Sequence, residues 1–257
     1  MDFRILGPLV VVGAAPVDLT GQRERVLLAR LVVSANQVLS SERLVEDVWE
    51  DAPPDNAMKA LPVYISRLRK ALRGGGLDDV VVTCAPGYVL RLAPGDVDAA
   101  RFAALVAAGR DKAAAGNAED ASAVLGEALA LWRGPALADL VDRDFARVAA
   151  VRLDEARLDV AEDLADAELA AGRPGAALDT VEPLTRDHPF RERLRGLQML
   201  SLYRLGRPAR RPGGSCPRRV RRPAGPPPAA RRRRLPSRAV RDGRPRRRVR
   251  RRCARRQ

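Results

Sequence analysis

Apolar and polar positions change their spacing several times along the chain, and each change marks an element. FRILGPLVVV (3–12) alternates and stops at Gly13, with VDLTG just beyond, the pattern of short antiparallel strands. From Gln22 to Asn36 the apolar positions Val26, Leu27 and Leu31 recur at helical spacing. Ser40 and Ser41 offer a cap for a second helix, ERLVEDVWE, with Leu44, Val45, Val48 and Trp49 turned inward. Pro53 and Pro54 end that helix, and Asp55 or Asn56 caps a third that runs to Arg73. After Gly74-Gly75-Gly76, the runs DVVVTC and YVLRL flank Ala85-Pro86-Gly87 and read as a hairpin.

The third helix has two unlike faces. Side chains three and four apart share a face, so Leu61, Ile65, Leu68 and Leu72 form one apolar stripe. Lys59, Val63, Ser66, Arg67 and Lys70 lie opposite, with Tyr64 on the flank. No carboxylate occurs between Asn56 and Arg73, whereas Lys59, Arg67, Arg69, Lys70 and Arg73 are all positive. A solvated helix ordinarily mixes both signs to gain pairs along its surface. Taken alone, the stretch is equally compatible with a basic surface helix.

The order of elements decides between the two. Strands, three helices and a hairpin make a winged helix-turn-helix, whose third helix enters the DNA major groove while the hairpin meets the backbone or minor groove. The leucine stripe would seat the third helix, leaving its positive face for phosphates and base edges. Lys59, Val63, Tyr64, Ser66, Arg67 and Lys70 are therefore the candidate DNA-binding residues of the helix, and Thr83 and Tyr88 those of the hairpin.

From Val97 to about Leu205 the period is helical and rich in alanine and leucine, with Gly, Pro or Asn at the connections. Gly172-Arg173-Pro174 and Gly206-Arg207-Pro208 stand 34 residues apart, the tetratricopeptide spacing, in which each helix pair buries its face against the next. Stacked pairs form concave surfaces, which favours a protein partner over a substrate. Trp132 is expected in the core. The fold class is mainly α with small β elements: a winged helix (1–96), an all-α tetratricopeptide-like domain (97–206) expected to stand independently, and a tail (207–257).

Charge changes the picture only locally. The formal net charge of +15 conceals 22 arginines and one acid, Asp242, in residues 207–257, so residues 1–206 sum to −6. Residues 1–95 hold 11 groups of each sign, so any nucleic-acid signal there must come from clustering. The tail loses all apolar periodicity just as the second repeat begins, and 41 of its 51 residues are Arg, Pro, Ala or Gly. Codons for these four begin with two G or C bases, the mixture expected of a GC-rich gene read in a shifted frame. A basic arm binding nucleic acid without sequence preference is the other reading. Disorder is expected on both, and the break leaves Leu200, Leu202 and Leu205 without a stacking partner.

Catalytic chemistry finds little to build on. His188 is the one histidine, in a setting that suits a helix start after a turn, and Cys84, Cys216 and Cys253 have no metal-ligand or disulfide spacing. No GxxxxGK[ST] or GxGxxG phosphate loop occurs. The expectation is a non-enzyme without cofactor or metal. MDFR leads directly into a strand-like run, and VLLARLVV is too short to span a bilayer, so a cytoplasmic, nucleoid-associated protein is expected, with no membrane partner.

QRERVLLARL, VLSSERLVEDVW, VYISRLRKAL and TCAPGYVL together resemble the OmpR-type winged helix that opens the SARP (AfsR/DnrI/RedD-like) regulators, actinobacterial activators of antibiotic pathways. The resemblance covers residues 1 to about 206. It implies that the third helix reads direct repeats near promoters, with Tyr64, Ser66, Arg67 and Lys70 at contact positions. It also implies that the helical part is a bacterial transcriptional activation domain. Double-stranded promoter DNA, RNA polymerase and a second copy on the DNA are the implied partners. Two positions depart from the family pattern. Pro62 replaces a hydrogen-bond donor and is expected to delay or bend the third helix. Cys84 replaces a wing arginine, implying weaker DNA affinity, and is expected to be a small buried side chain. The reading that follows is a sequence-specific transcriptional regulator; the alternative is a helical interaction scaffold whose winged helix does not bind DNA.

Overall fold

The computed structural model describes residues 1–19, 21–50 and 53–206. The expectations for the tail, residues 207–257, lie outside the described residues. Strands β1 (Asp2–Arg4) and β2 (Val10–Val12) pair antiparallel with Phe3 opposite Val11. Only the ends of the alternating run FRILGPLVVV are therefore strand. Its middle satisfies its backbone elsewhere: the N–H groups of Ile5 and Leu6 donate to the Asp98 carboxylate at 2.8 and 3.0 Å, and Leu9 donates to Asp139 at 2.8 Å. In return the Leu6 and Ile5 carbonyls accept from the N–H groups of Arg133 and Leu137 at 2.8 and 3.1 Å.

The winged helix follows in the expected order. Helix α1 (Gln22–Val33) buries Val26, Leu27 and Leu31, and α2 (Ser41–Trp49) buries Leu44, Val48 and Trp49, with Val45 half-buried. Ser40 caps α2, its hydroxyl accepting from the Arg43 N–H at 3.2 Å. Before α2 comes a two-residue strand, β3 (Leu39–Ser40), which is too short to leave a pattern in sequence. It pairs antiparallel with β5 (Gly87–Leu90), which also pairs with β4 (Val81–Cys84) to complete the wing. Gly87 makes that junction: a Cβ there would lie 1.9 Å from the Leu39 carbonyl oxygen, so no side chain fits.

Helix α3 (Ala57–Gly74) is not delayed by Pro62. The helix starts five residues before the proline and runs through it. The bond removed is the one an N–H at position 62 would have donated to the Met58 carbonyl, and both residues lie on the exposed side of the helix, where losing that bond costs least. The apolar stripe Leu61, Ile65, Leu68 and Leu72 is buried to within 1% of full cover.

A 3-10 turn (Pro94–Asp96) leads to the helical half: α4 (Asp98–Ala114), α5 (Ala118–Ala130), α6 (Asp144–Ala170), α7 (Pro174–Asp187) and α8 (Glu192–Arg204). Each packs on the next. Gly172 and Gly206, the two ends of the 34-residue echo, both take positive φ, 75° and 67°, after α6 and α8. Trp132 is buried as expected, edge-on to Phe102 with centroids 5.5 Å apart and with the Arg157 guanidinium over its ring. Leu200 and Leu205 are exposed at the end of α8, while Leu202 is half-buried. His188 caps the end of α7 at the surface, just before the turn that leads into α8 as its setting suggested, and Cys84 is half-buried.

The helical half does not stand apart from the winged helix. Leu137, Leu140, Ala146 and Ala149 belong to the same buried cluster as Val26, Leu31, Leu44 and Ile65. Arg25 pairs with Asp139 at 2.5 Å and Arg143 with Glu50 at 3.1 Å across the joint. The described residues therefore form one compact unit, with a core shared between the winged helix and the helical half. Asp98, 1% exposed, sits at the seam. Burial pushes its carboxyl above the ordinary carboxylate value, only partly offset by the N–H groups of Ile5, Leu6 and Ala99 and by Arg133.

Candidate nucleic-acid interface

The surface opposite the leucine stripe of α3 carries Lys59, Val63, Ser66, Arg67 and Lys70, all exposed. They share a face because helical geometry puts three- and four-residue neighbours together, so burying the leucines turns them outward. Lys59 and Lys70 have no ion-pair partner among the described residues. Val63, half exposed, supplies an apolar surface among the cations, of the kind that can meet a thymine methyl.

Arg67 is held more closely. Its guanidinium lies 5.6 Å from the Tyr64 ring centroid and 3.7 Å from the Glu24 carboxylate. With 63% of its side chain exposed, that pair is weak and can yield to a phosphate or a base. Tyr64 is half-buried against Trp49, edge-on at 5.5 Å, and its hydroxyl accepts from Arg23 at 2.9 Å. The Arg23 guanidinium also lies 5.5 Å from the Trp49 ring and 5.7 Å from the Tyr64 ring. Arg23 thus brings the start of α1 to the edge of this face, a cation the helix pattern of α1 does not single out.

Thr83 and Tyr88 occupy different positions in the wing. Thr83 is exposed, and its hydroxyl accepts from Arg69 Nη2 at 2.9 Å. Tyr88 faces inward, 8% exposed, opposite Leu39 of β3, with the Arg69 guanidinium 5.9 Å from its ring. Arg69 also donates from Nε to the Val81 carbonyl at 2.9 Å. It is the residue that sequence reasoning passed over: one cation among five, distinguished only by its place on the side of α3 that faces the wing. Of the candidate residues, six gather on α3 and Thr83 stands beside them, whereas Tyr88 supports the wing from within.

Two family descriptions match the chain. Residues 14–90 match "Transcriptional regulatory protein, C terminal", and residues 97–210 match "Bacterial transcriptional activator domain". The transcriptional regulatory protein EmbR of Mycobacterium tuberculosis is 39% identical over 208 residues, covering 80% of this chain and 53% of EmbR. The regulatory protein DnrI of Streptomyces peucetius is 32% identical over 215 residues, covering 80% of this chain and 79% of DnrI.

The chain belongs to the SARP family of transcriptional regulators. A solved structure of M. tuberculosis EmbR in complex with a low-affinity phosphopeptide shares the fold with a TM-score of 0.77 and 38% identity, covering 80% of this chain and 55% of that one. The chain thus spans about half the length of EmbR. In the SARP regulator described here no helix among the described residues is long and apolar enough to cross a membrane.

Proposed function

We propose that this SARP regulator binds promoter DNA sequence-specifically through α3 and activates genes of a secondary-metabolite pathway. The observation that carries the reading is the polarity of α3: a fully buried leucine stripe backed by a cationic face that contains no carboxylate. A basic surface helix would need neither the wing beside it nor Arg69 to fix the wing in place. Lys59, Lys70 and Arg23 meet phosphates, and Ser66, Arg67 and Val63 lie where base edges would be. Tyr64 orients Arg67, and Thr83 presents the wing to the backbone. The helical half, net negative, disfavours DNA and suits a protein partner such as RNA polymerase. Repeated promoter elements would seat two copies side by side. The protein would work in the cytoplasm, on the nucleoid.

The test is selection of bound duplexes from a random pool by the full chain, with unrelated competitor DNA present to absorb binding by the arginine-rich tail. Enrichment of a defined motif, bound less well after Arg67→Ala, is expected. Enrichment of no motif would favour the scaffold reading, in which the winged helix docks protein.

A further inference from the structure

Between α4 and α6 lies an open groove of about 580 Å³, lined by no residue of α3. Its floor comes from the DNA-binding half, through Ile5 and Val33 at the end of α1. Its walls are apolar, Phe102 on α4 facing Leu153 on α6, and the small side chains of Ala103 and Ala156 keep it open. The volume falls within the range of small-ligand sites, about 300–1,000 Å³.

The charges at the rim narrow the chemistry. Three charged residues line the groove: Arg110, Arg152 and Asp159. Arg110 is engaged by Asp163 at 2.7 Å, and Asp159 by Arg191. Arg152 is exposed and has no carboxylate partner among the described residues. An apolar slot with one uncommitted guanidinium at its mouth matches a molecule with an apolar body and a single negative head.

We propose that this groove binds a small amphiphilic organic anion, its apolar body held between α4 and α6 and its carboxylate or equivalent head paired with Arg152. The site is independent of the face of α3, and the proposal does not rest on DNA binding.

Calorimetric titration of the full chain with octanoate and with 1-octanol, without DNA, tests it. Octanoate is expected to bind saturably at one site per chain, about fivefold more tightly than octanol, the worth of an exposed charge pair. Arg152→Ala should bring octanoate down to the affinity of octanol and leave octanol unchanged. Ala156→Phe should abolish both by filling the groove; Ala103→Phe, on the opposite exposed wall, does the same should the first variant fold poorly. The tail arginines attract anions without any groove, as a non-saturating background that none of these substitutions changes, so only the saturable one-site component is compared. Equal affinity for octanoate and octanol, binding that survives both filled variants, or no saturable binding would each overturn the proposal. The last outcome would leave the groove to a protein segment.

Discussion

Arg69 on α3 and Thr83 on the wing are joined by a 2.9 Å hydrogen bond, and the same guanidinium holds the Val81 carbonyl at 2.9 Å. One side chain therefore ties the helix to the hairpin. Arg69→Ala is expected to cost about 1 kcal/mol in urea unfolding, the net worth of a partly exposed charge-assisted bond. Arg69→Lys should recover only part of this, because an ammonium cannot reproduce the fork. Hydrogen exchange of the β4 amides should speed up in both variants. Unchanged exchange would mean that the strand pairing alone positions the wing.

Arg67 is mostly exposed, and its contact with Glu24 is weak. Arg67→Ala should change the melting temperature little. It should weaken binding to a selected operator by about 1–3 kcal/mol, the cost of losing one base contact. Gel-shift titration measures the second quantity. Binding equal to that of the parent would show that α3 is turned differently on the DNA.

Leu68 is 0% exposed, on the opposite side of the same helix. Leu68→Ala should destabilise folding by about 2–5 kcal/mol in denaturant titration. A cost below about 1 kcal/mol would imply that α3 is loosely seated.

Lys59 and Lys70 have no ion-pair partner among the described residues. Each alanine substitution should weaken operator and unrelated DNA alike, and reduce the slope of log affinity against log salt by about 1. A sequence-dependent loss would instead place that lysine on a base.

Asp98 provides a pH test of the joint between the two halves. Its pKa in the folded protein is raised by burial above the ordinary value of 3.8, so the folded state holds this proton more tightly than the unfolded chain. Its contribution to stability is therefore fullest below the ordinary value and is lost as pH rises through the raised one. Relative to Asp98→Asn, the parent should gain stability as pH falls from about 7 toward about 4, read from paired urea titrations. A stability difference that is flat with pH would show that the backbone donors of Ile5 and Leu6 fully compensate the buried charge.

Much of this architecture was legible because it is periodic. The stripe of α3, the cap at Ser40 and the helical run from Val97 to about Leu205 follow from local spacing, which the core then uses. What sequence missed depends on distant partners. Ile5 to Leu9 alternate like a strand, yet their backbone bonds go to Asp98, Arg133, Leu137 and Asp139, more than ninety residues away. Two residues of β3 are too few to show a period, and Gly87 reveals its need for bareness only when Leu39 is placed against it. In the interface, alternation put Tyr88 and Thr83 on the same hairpin without saying which would be sealed inside by Arg69. The cost of Pro62 depends on which side of the helix it stands, and it stands on the exposed one.

The common core beneath α1, α3 and the Leu137–Leu140 segment makes the molecule a fixed ruler rather than two pieces on a tether. If α3 seats in a groove of DNA as proposed, the azimuth of α4 to α8 around the duplex is set as well. Moving a bound site by half a turn of DNA, about 5 base pairs, would carry the helical half to the far side of the double helix, and a full turn would bring it back.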